Sequence, residues 1–309
     1  MISVVVPVYN EHESLEAFFK VLIPNLSKLD NEHEAIFVDD GSTDKTLEIL
    51  KDFAAKNSNV KVFSFRKNRG KAEALIVGFQ KAKGDLIVTL DADLQDRPEE
   101  IAKLIKKQKE GFDLVCGWRK NRKDALRANL SSKLFNSIAS ILWGLKLHDY
   151  NCGLKLYTKD VAKSLNLYGG MHRFIPLLVA DQGFSVAEVA IEHVERKYGK
   201  SKYGFSKIWK DLPDIFTMLF LSKYSKRPFH FFGAAGSLMV LIGALILGYL
   251  TYLKILGEAI GQRPLLFLGM LFIISGFQLF FTGFLADLII NISSKKQKDF
   301  TFKYSSEEL

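Results

Sequence analysis

The sequence predicts an α/β fold, a doubly wound and mostly parallel sheet that is followed by interfacial amphipathic helices and two transmembrane helices. Three observations lead to this prediction: strand and helix patterns alternate from Ser3 to Gly117, a basic amphipathic stretch follows later, and two long uncharged apolar segments lie near the C-terminus. Of the 309 residues, 48% are hydrophobic and 25% are charged, which excludes a long disordered protein. Two cysteines, Cys116 and Cys152, are too few for a disulfide framework.

Five strands are expected in the first part of the chain, each rich in β-branched or aromatic residues. They are Ser3–Pro7, Glu34–Val38, Val60–Phe65, Asp85–Leu90 and Asp113–Gly117. Helical patterns lie between them, from Glu11 to about Leu26, from a Ser42 or Thr43 cap to about Ala55, over Lys71–Ala82, and after Pro98. Farther along, helices are expected at Leu126–Leu145 and His172–Ala180, and extended segments at Gly153–Tyr157 and Ser185–Val194. Strands that alternate with helices favour a parallel sheet.

Two uncharged segments, Phe229–Leu253 and Leu265–Ala286, are long enough to cross a membrane, which takes ~20 apolar residues. The core helix of a soluble protein is rarely so long and so uniformly apolar. Basic residues flank the pair on both outer sides, whereas the connecting loop has only Lys254 and Arg263, opposed by Glu258. By the positive-inside rule, the outer flanks are cytoplasmic. The first residues do not resemble a signal peptide, so the N-terminal part is expected to stay on that side.

Changes of composition suggest four segments. We expect a cytosolic domain at 1–205, interfacial amphipathic helices at 206–228, a two-helix transmembrane hairpin at 229–292 and a basic cytosolic tail at 293–309. Ser206–Leu221 carries its apolar residues on one face, which suits a helix in the membrane interface. An ordinary amphipathic helix on a soluble core explains the same periodicity, and the neighbouring span favours the interface. In the hairpin, Gly233 and Ser237 have the spacing of a close helix contact.

The positive charge of the chain is concentrated in two basic blocks. The formal net charge is +9, while Trp118–Lys133 and Arg196–Arg227 together carry a larger excess than this. A nucleic-acid-binding protein would be expected to spread its basic residues over the domain, so no nucleic-acid partner is expected. The second block adjoins the first span, where basic residues are attracted to anionic lipids. A solvated basic surface that only orients the protein is the alternative.

Three polar clusters follow predicted strands, at Pro7–Glu11, Asp39–Ser42 and Asp91–Gln95. In parallel α/β sheets the ligand lies beyond the carboxyl ends of the strands, so we expect the three clusters to meet in one crevice. Taken singly, each cluster also suits a solvated surface loop, and their common position favours a binding site.

The residue types in these clusters suit a nucleotide. Asp91 and Asp93 are separated by one residue, so their carboxylates can bind one Mg²⁺ or Mn²⁺ and leave positions for phosphate oxygens. Gln95 could add a neutral oxygen, and the ion would neutralise charge on a leaving nucleoside diphosphate. The acidic turn Asp39–Ser42 suits base N–H groups and ribose hydroxyls, and Arg66–Lys71 supplies donors near a glycine.

Four segments resemble, in order and spacing, the family-2 glycosyltransferases of the GT-A fold: Pro7–Glu11, Val38–Asp44, Asn68–Lys71 and Asp91–Asp96. Three later segments narrow the resemblance: Asn151–Gly153, His172–Phe174 and Arg196–Tyr203. Together with the two terminal spans, they are similar to the polyprenyl-phosphate glycosyltransferases. That group includes the dolichyl-phosphate mannose synthases and the bacterial undecaprenyl-phosphate sugar transferases.

The resemblance implies transfer of one hexose from a nucleotide sugar, UDP-glucose-like or GDP-mannose, to a polyprenyl phosphate, with inversion at the anomeric carbon. It assigns nucleotide-sugar binding to Pro7, Tyr9, Glu11, Val38, Asp40, Lys71 and Asp91. It assigns Mg²⁺ or Mn²⁺ binding to Asp91, Asp93 and Gln95, the acceptor phosphate to Arg119, Arg127, Ser131 and Arg196, and catalysis to Asp93, Arg119 and Arg127. The implied location is the cytoplasmic face of a bacterial or archaeal plasma membrane. Whether the chain forms a homo-oligomer is left open.

The implied acceptor needs no general base. A sugar hydroxyl must be deprotonated before it attacks, whereas a lipid phosphate already carries about −1.5 to −2 charges at neutral pH. Positioning is then the main requirement, and the guanidinium fork of arginine binds phosphate in two places without losing its charge. We therefore predict a site without a dedicated catalytic base.

Two other functions would explain part of this sequence. A processive polysaccharide synthase would share the sugar-nucleotide domain, but two spans are too few for a polymer channel in one chain. None of the three tryptophans is preceded by arginine, so the Q-x-x-R-W-type sequence of those enzymes is missing. A non-catalytic, membrane-anchored nucleotide-sugar-binding scaffold is the other alternative, and the intact acidic and arginine sets argue against it.

Overall fold

The computed structural model describes residues 1–29, 32–120, 140, 144–194 and 227–294. The chain divides into two compact units, residues 1–214 and 215–309, which we call the first and second units. Most of the expected helix at Leu126–Leu145, nearly all of the interfacial helices and the tail from Lys295 onward lie outside the described residues. The four-segment division of the chain stays a prediction.

The described part of the first unit contains a seven-stranded sheet. The strands are β1 (Ile2–Val8), β2 (His33–Asp39), β3 (Val60–Ser64), β4 (Leu86–Thr89), β5 (Leu114–Arg119), β6 (Lys155–Thr158) and β7 (Val186–Ile191). Their order is β3-β2-β1-β4-β6-β5-β7. The first four strands in this order pair in parallel, as do β5 and β7, whereas β6 is antiparallel to both of its neighbours. The prediction of a mostly parallel sheet is confirmed, with β6 as the exception.

Helices cover the sheet between the strands. Those of the described residues are α1 (His12–Leu29), α2 (Thr46–Lys56), α3 (Lys71–Lys81), α4 (Ile101–Gln108), α5 (Lys159–Ser164) and α6 (Ile175–Asp181) in the first unit. Short 3₁₀ turns at Pro98–Glu100 and Met171–Arg173 precede α4 and α6. In α1, a buried stripe at helical spacing includes Leu15, Phe18 and Leu22. The ring of Phe18 meets that of Phe37 on β2 edge-on at 6.3 Å, so this stripe forms part of the core.

The expected cap of α2 is wrong. The helix begins at Thr46, and neither Ser42 nor Thr43 caps it. The Oδ1 atom of Asp44 accepts the N–H of Thr46 at 2.9 Å instead. Ser42 is used elsewhere, because its Oγ accepts the N–H of Asn10 at 2.9 Å. Ser42, Thr43 and Asp44 are all good capping residues, so composition alone could not choose among them.

Both expected spans are long apolar helices, α7 (Pro228–Ile255) and α8 (Pro264–Ser294), in the second unit. Only 17% and 11% of their most apolar stretches are buried, unlike the core helices of a soluble fold. Large apolar side chains are exposed along both helices, among them Leu245, Phe267 and Phe281. The composition and length of the two helices therefore fit membrane spans.

Glycines let the two helices approach closely. A Cβ built on Gly236 would lie 2.5 Å from the carbonyl oxygen of Gly276, and one built on Gly243 would lie 2.8 Å from that of Gly269. The expected contact at Gly233 is present, since a Cβ built on Gly283 would lie 3.4 Å from the backbone nitrogen of Gly233. The expectation for Ser237 is wrong because its side chain is exposed.

Gly236→Leu is therefore expected to force α7 and α8 apart and to lower the thermal stability of the protein in detergent. Overpacking of a close contact costs about 1–3 kcal/mol. Gly248→Leu is the matched control, because among the described residues no atom lies within 4 Å of a Cβ built on Gly248. Differential scanning fluorimetry of both variants tests this. Equal melting temperatures would contradict a glycine-mediated contact.

Candidate active site

The carboxyl ends of β1, β2 and β4 lie at one edge of the sheet because these strands are parallel. Since β6 runs the other way between β4 and β5, its amino end reaches the same edge. The three polar clusters expected to meet are therefore brought together, and Cys152 and Gly153 join them from the start of β6.

The loops after β1 and β2 are tied to each other through Asn10. Its Oδ1 atom accepts the N–H of Thr43 at 2.9 Å, and its own N–H donates to Ser42. Asn10 has a φ of 52°, a left-handed conformation that asparagine adopts more readily than most residues. The N–H of Asp40 also donates to the carbonyl of Val8 at 2.8 Å. These bonds fix the part of the edge where the predicted nucleoside residues lie.

Asp40 shapes the loop that leads into α3. Its carboxylate accepts the N–H of Arg69 at 2.7 Å, the N–H of Gly70 at 2.9 Å and the amide of Asn68 at 3.0 Å. Burial nevertheless raises the pKa of Asp40, and the nearby Asp39 adds to this effect. Sequence reasoning did not foresee this role. Two features of the sequence indicated this role. One is the acidic residue at the end of β2, and the other is the glycine directly before a helix in the loop after β3.

Asp39 is an internal residue rather than a free acidic group of the turn. Its carboxylate is fully buried, and it accepts the N–H of Ser42 at 3.1 Å and the hydroxyl of Ser64 at 2.6 Å. Between these residues, Gly41 has a φ of 69°, and a Cβ at this position would lie 2.5 Å from the carbonyl carbon of Lys67. A glycine is therefore required where the two loops touch.

The remaining nucleoside residues lie at the ends of β1 and β2. Pro7 is partly buried and Val38 fully buried within the strands, while Tyr9 and Glu11 lie in the loop after β1. The backbone N–H of Glu11 donates to the hydroxyl of Thr46 at 2.9 Å. The edge thus gathers all the positions assigned to the nucleoside, and their binding role stays a prediction.

Asp91 is held between a lysine and a glycine. The Nζ atom of Lys71, the first residue of α3, donates to its Oδ1 at 2.6 Å. On the other side, a Cβ built on Gly153 would lie 2.6 Å from Asp91 Oδ2, so a larger residue here would displace this carboxylate. Burial acts to raise the pKa of Asp91, but the charges of Lys71 and Lys155 outweigh it and hold the pKa below its ordinary value. Asp91 is therefore an anion at neutral pH.

The rest of the acidic motif turns sharply back on itself. Asp93 is buried and its Oδ1 accepts the N–H of Gln95 at 3.1 Å, while Leu94 between them has a φ of 59°. Among the described residues, no three His, Cys, Asp or Glu side chains converge on one point. Two carboxylates with an amide oxygen nearby suit a hard divalent ion that completes its coordination with phosphate and water, so the residues fit Mg²⁺ or Mn²⁺ shared with a diphosphate.

Asp96, which sequence reasoning did not single out as a site residue, fixes this motif to β6 and β7. Its Oδ2 accepts the N–H of Leu154 at 3.2 Å and the thiol of Cys152 at 3.7 Å, and its Oδ1 lies 3.5 Å from His193 Nδ1. Asp96 also forms a β-bridge with His193. Asp96 could have been identified from the sequence because it belongs to the same acidic segment as Asp91.

Of the four residues predicted to hold the acceptor phosphate, only Arg119 is described. Arg127, Ser131 and Arg196 lie outside the described residues. Arg119 ends β5, and its Nε and Nη2 donate to the two oxygens of Asp149 at 2.6 and 3.1 Å. The Asp149 side chain is buried, at 5% exposure, and that of Arg119 is largely buried, at 10%. Although burial opposes the charge, Asp149 raises the pKa of Arg119, which stays a cation. Sequence reasoning missed Asp149.

His172 lies in the 3₁₀ turn before α6, and its Nδ1 is buried without a hydrogen-bond partner among the described residues. Burial lowers the pKa of His172 to about 3, and the positive charges of Lys71 and Arg173 add to the effect. The imidazole is therefore neutral at physiological pH.

This histidine should make the protein sensitive to acid. The unfolded chain takes up the proton near pH 6.5 and the folded protein only near pH 3, so stability falls as the pH drops between these values. His172→Gln removes this proton uptake. From pH 6.5 to 4.5 the wild type should lose about 2 kcal/mol more of its free energy of unfolding than the variant. Thermal unfolding in detergent at both pH values tests this, and equal losses would contradict it.

The sequence of this chain is similar to one protein family and to several known proteins. Residues 3–165 match the family described as Glycosyl transferase family 2. Dodecaprenyl-phosphate galacturonate synthase of Rhizobium johnstonii is 37% identical over 294 residues, with 93% of this chain and 87% of that protein covered. Undecaprenyl-phosphate 4-deoxy-4-formamido-L-arabinose transferase of Photorhabdus laumondii is 34% identical over 291 residues, with 93% and 88% covered.

A solved structure with the same fold is glucosyl-3-phosphoglycerate synthase of Mycobacterium tuberculosis, crystallised with Mn²⁺, UDP and phosphoglyceric acid. It covers 72% of this chain and 78% of its own, with a TM-score of 0.54 and 21% sequence identity. At this identity the similarity establishes the fold alone, and it confirms the expected sheet architecture.

Proposed function

The chain belongs to glycosyl transferase family 2, and we propose that it transfers one sugar from a nucleotide sugar to the phosphate of a membrane polyprenyl phosphate. The observation that carries this proposal is the acidic motif at the sheet edge, where Asp91 binds Lys71, together with the largely buried Arg119, which ends β5 at the same edge. Anionic and cationic groups at one edge suit a metal-bound donor diphosphate and an anionic acceptor.

The relatives support the acceptor class. One is named a dodecaprenyl-phosphate galacturonate synthase and the other an undecaprenyl-phosphate sugar transferase, and each match covers 93% of this chain. A lipid acceptor would explain the two apolar helices of the second unit, since these helices would keep the chain at the membrane that contains the acceptor. We place the first unit on the cytoplasmic side, following the charges of the flanks.

The donor would bind along the loops after β1, β2 and β4. Asp91 and Asp93, with Gln95, would hold Mg²⁺ or Mn²⁺, which would offset the charge of the leaving nucleoside diphosphate. Lys71 would add a second cation near the diphosphate. Asp40 would act on the donor through the loop that it orders as well as through any direct contact, because three of its hydrogen bonds go to that loop.

The acceptor phosphate would be positioned rather than deprotonated. Its oxygen attacks the anomeric carbon as the bond to the donor diphosphate breaks, which inverts the configuration. Arg119 has its orientation fixed by the bidentate bond to Asp149, so it would offer a rigid positive group to the phosphate. Arg127, Ser131 and Arg196 are proposed to complete that set.

The sugar is proposed to be a hexose carried by UDP or GDP. The names of the relatives also include a uronic acid and a formamido pentose, so the test needs both types of donor. Purified protein would be given a short polyprenyl phosphate and a panel of nucleotide sugars, and the lipid product would be weighed by mass spectrometry. A lipid heavier by one hexose supports the full proposal, a uronic acid or pentose corrects the sugar, and a polymer favours a processive synthase.

A further inference from the structure

The ion pair between Lys71 and Asp91 occupies a carboxylate that the proposed metal also needs. Its two atoms are 2.6 Å apart, and the side chains are 34% and 35% exposed. Because water and ions reach both groups, a competing charge can open the pair. An ammonium group and a divalent cation repel each other, so the two compete for the Oδ1 atom of Asp91.

Of the two groups that confine Asp91, only the lysine can move. Gly153 belongs to the backbone before β6 and packs against Oδ2, where a Cβ would lie 2.6 Å away. Lys71 has a flexible four-carbon stem on a fixed helix start, because Asp40 binds the N–H groups of Arg69 and Gly70 just before it. The helix therefore stays in place while the ammonium group changes partner.

We propose that Lys71 is an internal counter-cation, which holds Asp91 in the donor-free protein and passes to the donor diphosphate when the metal binds. Metal and nucleotide then bind as a unit, and the metal alone binds weakly. This inference rests on the proposed function, because it takes the diphosphate of a nucleotide sugar as the new partner of Lys71.

The test is the binding of Mn²⁺ without lipid acceptor, measured by electron paramagnetic resonance on the full chain in detergent. Lys71→Met should bind Mn²⁺ alone about fivefold more tightly than the wild type, since the competing cation is gone. Lys81→Met is the matched control, because Lys81 carries the same charge at the far end of α3 and is expected to change nothing. Saturating UDP or GDP should tighten Mn²⁺ binding more in the wild type than in Lys71→Met.

Unchanged or weaker binding of Mn²⁺ alone in Lys71→Met would overturn the proposal. Acylation of lysines in the wild type, read by mass spectrometry, provides a second measurement that needs no variant. Excess Mn²⁺ alone should increase the labelling of Lys71, and added nucleoside diphosphate should suppress it; labelling that does not respond to Mn²⁺ would also overturn the proposal. Neither experiment uses a polyprenyl phosphate, so either can fail while sugar transfer succeeds, or succeed while transfer fails.

Discussion

Asp93→Asn is expected to reduce kcat/KM for sugar transfer by about a thousandfold, the range seen when one preorganised electrostatic group is removed from an active site. Asparagine keeps the size of the side chain and an oxygen that can accept the N–H of Gln95, so the turn is retained. The variant loses the negative charge that would hold the metal. Initial rates of lipid glycosylation at saturating Mn²⁺ measure the effect.

Asp85→Asn is the matched control for this prediction. Asp85 immediately precedes β4, at the opposite end from the acidic motif, and its exposed carboxylate lies 3.5 Å from the N-terminal amine. Its removal should leave transfer within about twofold, since exposed ion pairs contribute little. If Asp93→Asn kept more than a tenth of the wild-type rate, the acidic motif would not be the centre of the reaction.

Arg119→Met is expected to abolish most transfer and to destabilise the protein by about 3–5 kcal/mol, because it leaves the buried Asp149 without its partner. The double variant Arg119→Met/Asp149→Leu separates the two effects. Replacing a buried ion pair with apolar side chains is often neutral for stability, so the double variant should regain most of its melting temperature. It should not regain transfer.

Thermal unfolding in detergent and initial rates, measured on the wild type and these two variants, decide between the roles of Arg119. Recovery of both stability and activity in the double variant would mean that Arg119 only supports the fold. Recovery of stability alone would support its proposed contact with the acceptor phosphate.

The local patterns of the sequence predicted the elements well. Each of the five expected strands and both expected extended segments are strands, with ends that differ by a few residues, because β-branched runs bounded by turn residues leave few alternatives. The convergence of the loops after β1, β2 and β4 followed from parallel pairing alone. Strand direction at β6 could not be read from the sequence, since an apolar run has the same pattern in both directions.

The residue pairs that form the site could not be predicted from the sequence. Lys71 and Asp91 are 20 positions apart, and Arg119 and Asp149 are 30 apart. A single sequence specifies the charges of these residues, but only the order of the strands determines which of them meet. The tight approach of Gly153 to Asp91 depends in the same way on β6 being inserted between β4 and β5.

The proposed acceptor is the phosphate of a lipid, and a comparison of two lipids tests this. The purified protein, Mn²⁺ and its preferred nucleotide sugar would be incubated with a polyprenyl phosphate or with the matching polyprenol, and both lipids would be analysed by mass spectrometry. We expect the phosphate to gain the mass of one sugar and the alcohol to remain unchanged. Glycosylation of the alcohol, or of neither lipid with any donor, would rule out a lipid phosphate as the acceptor.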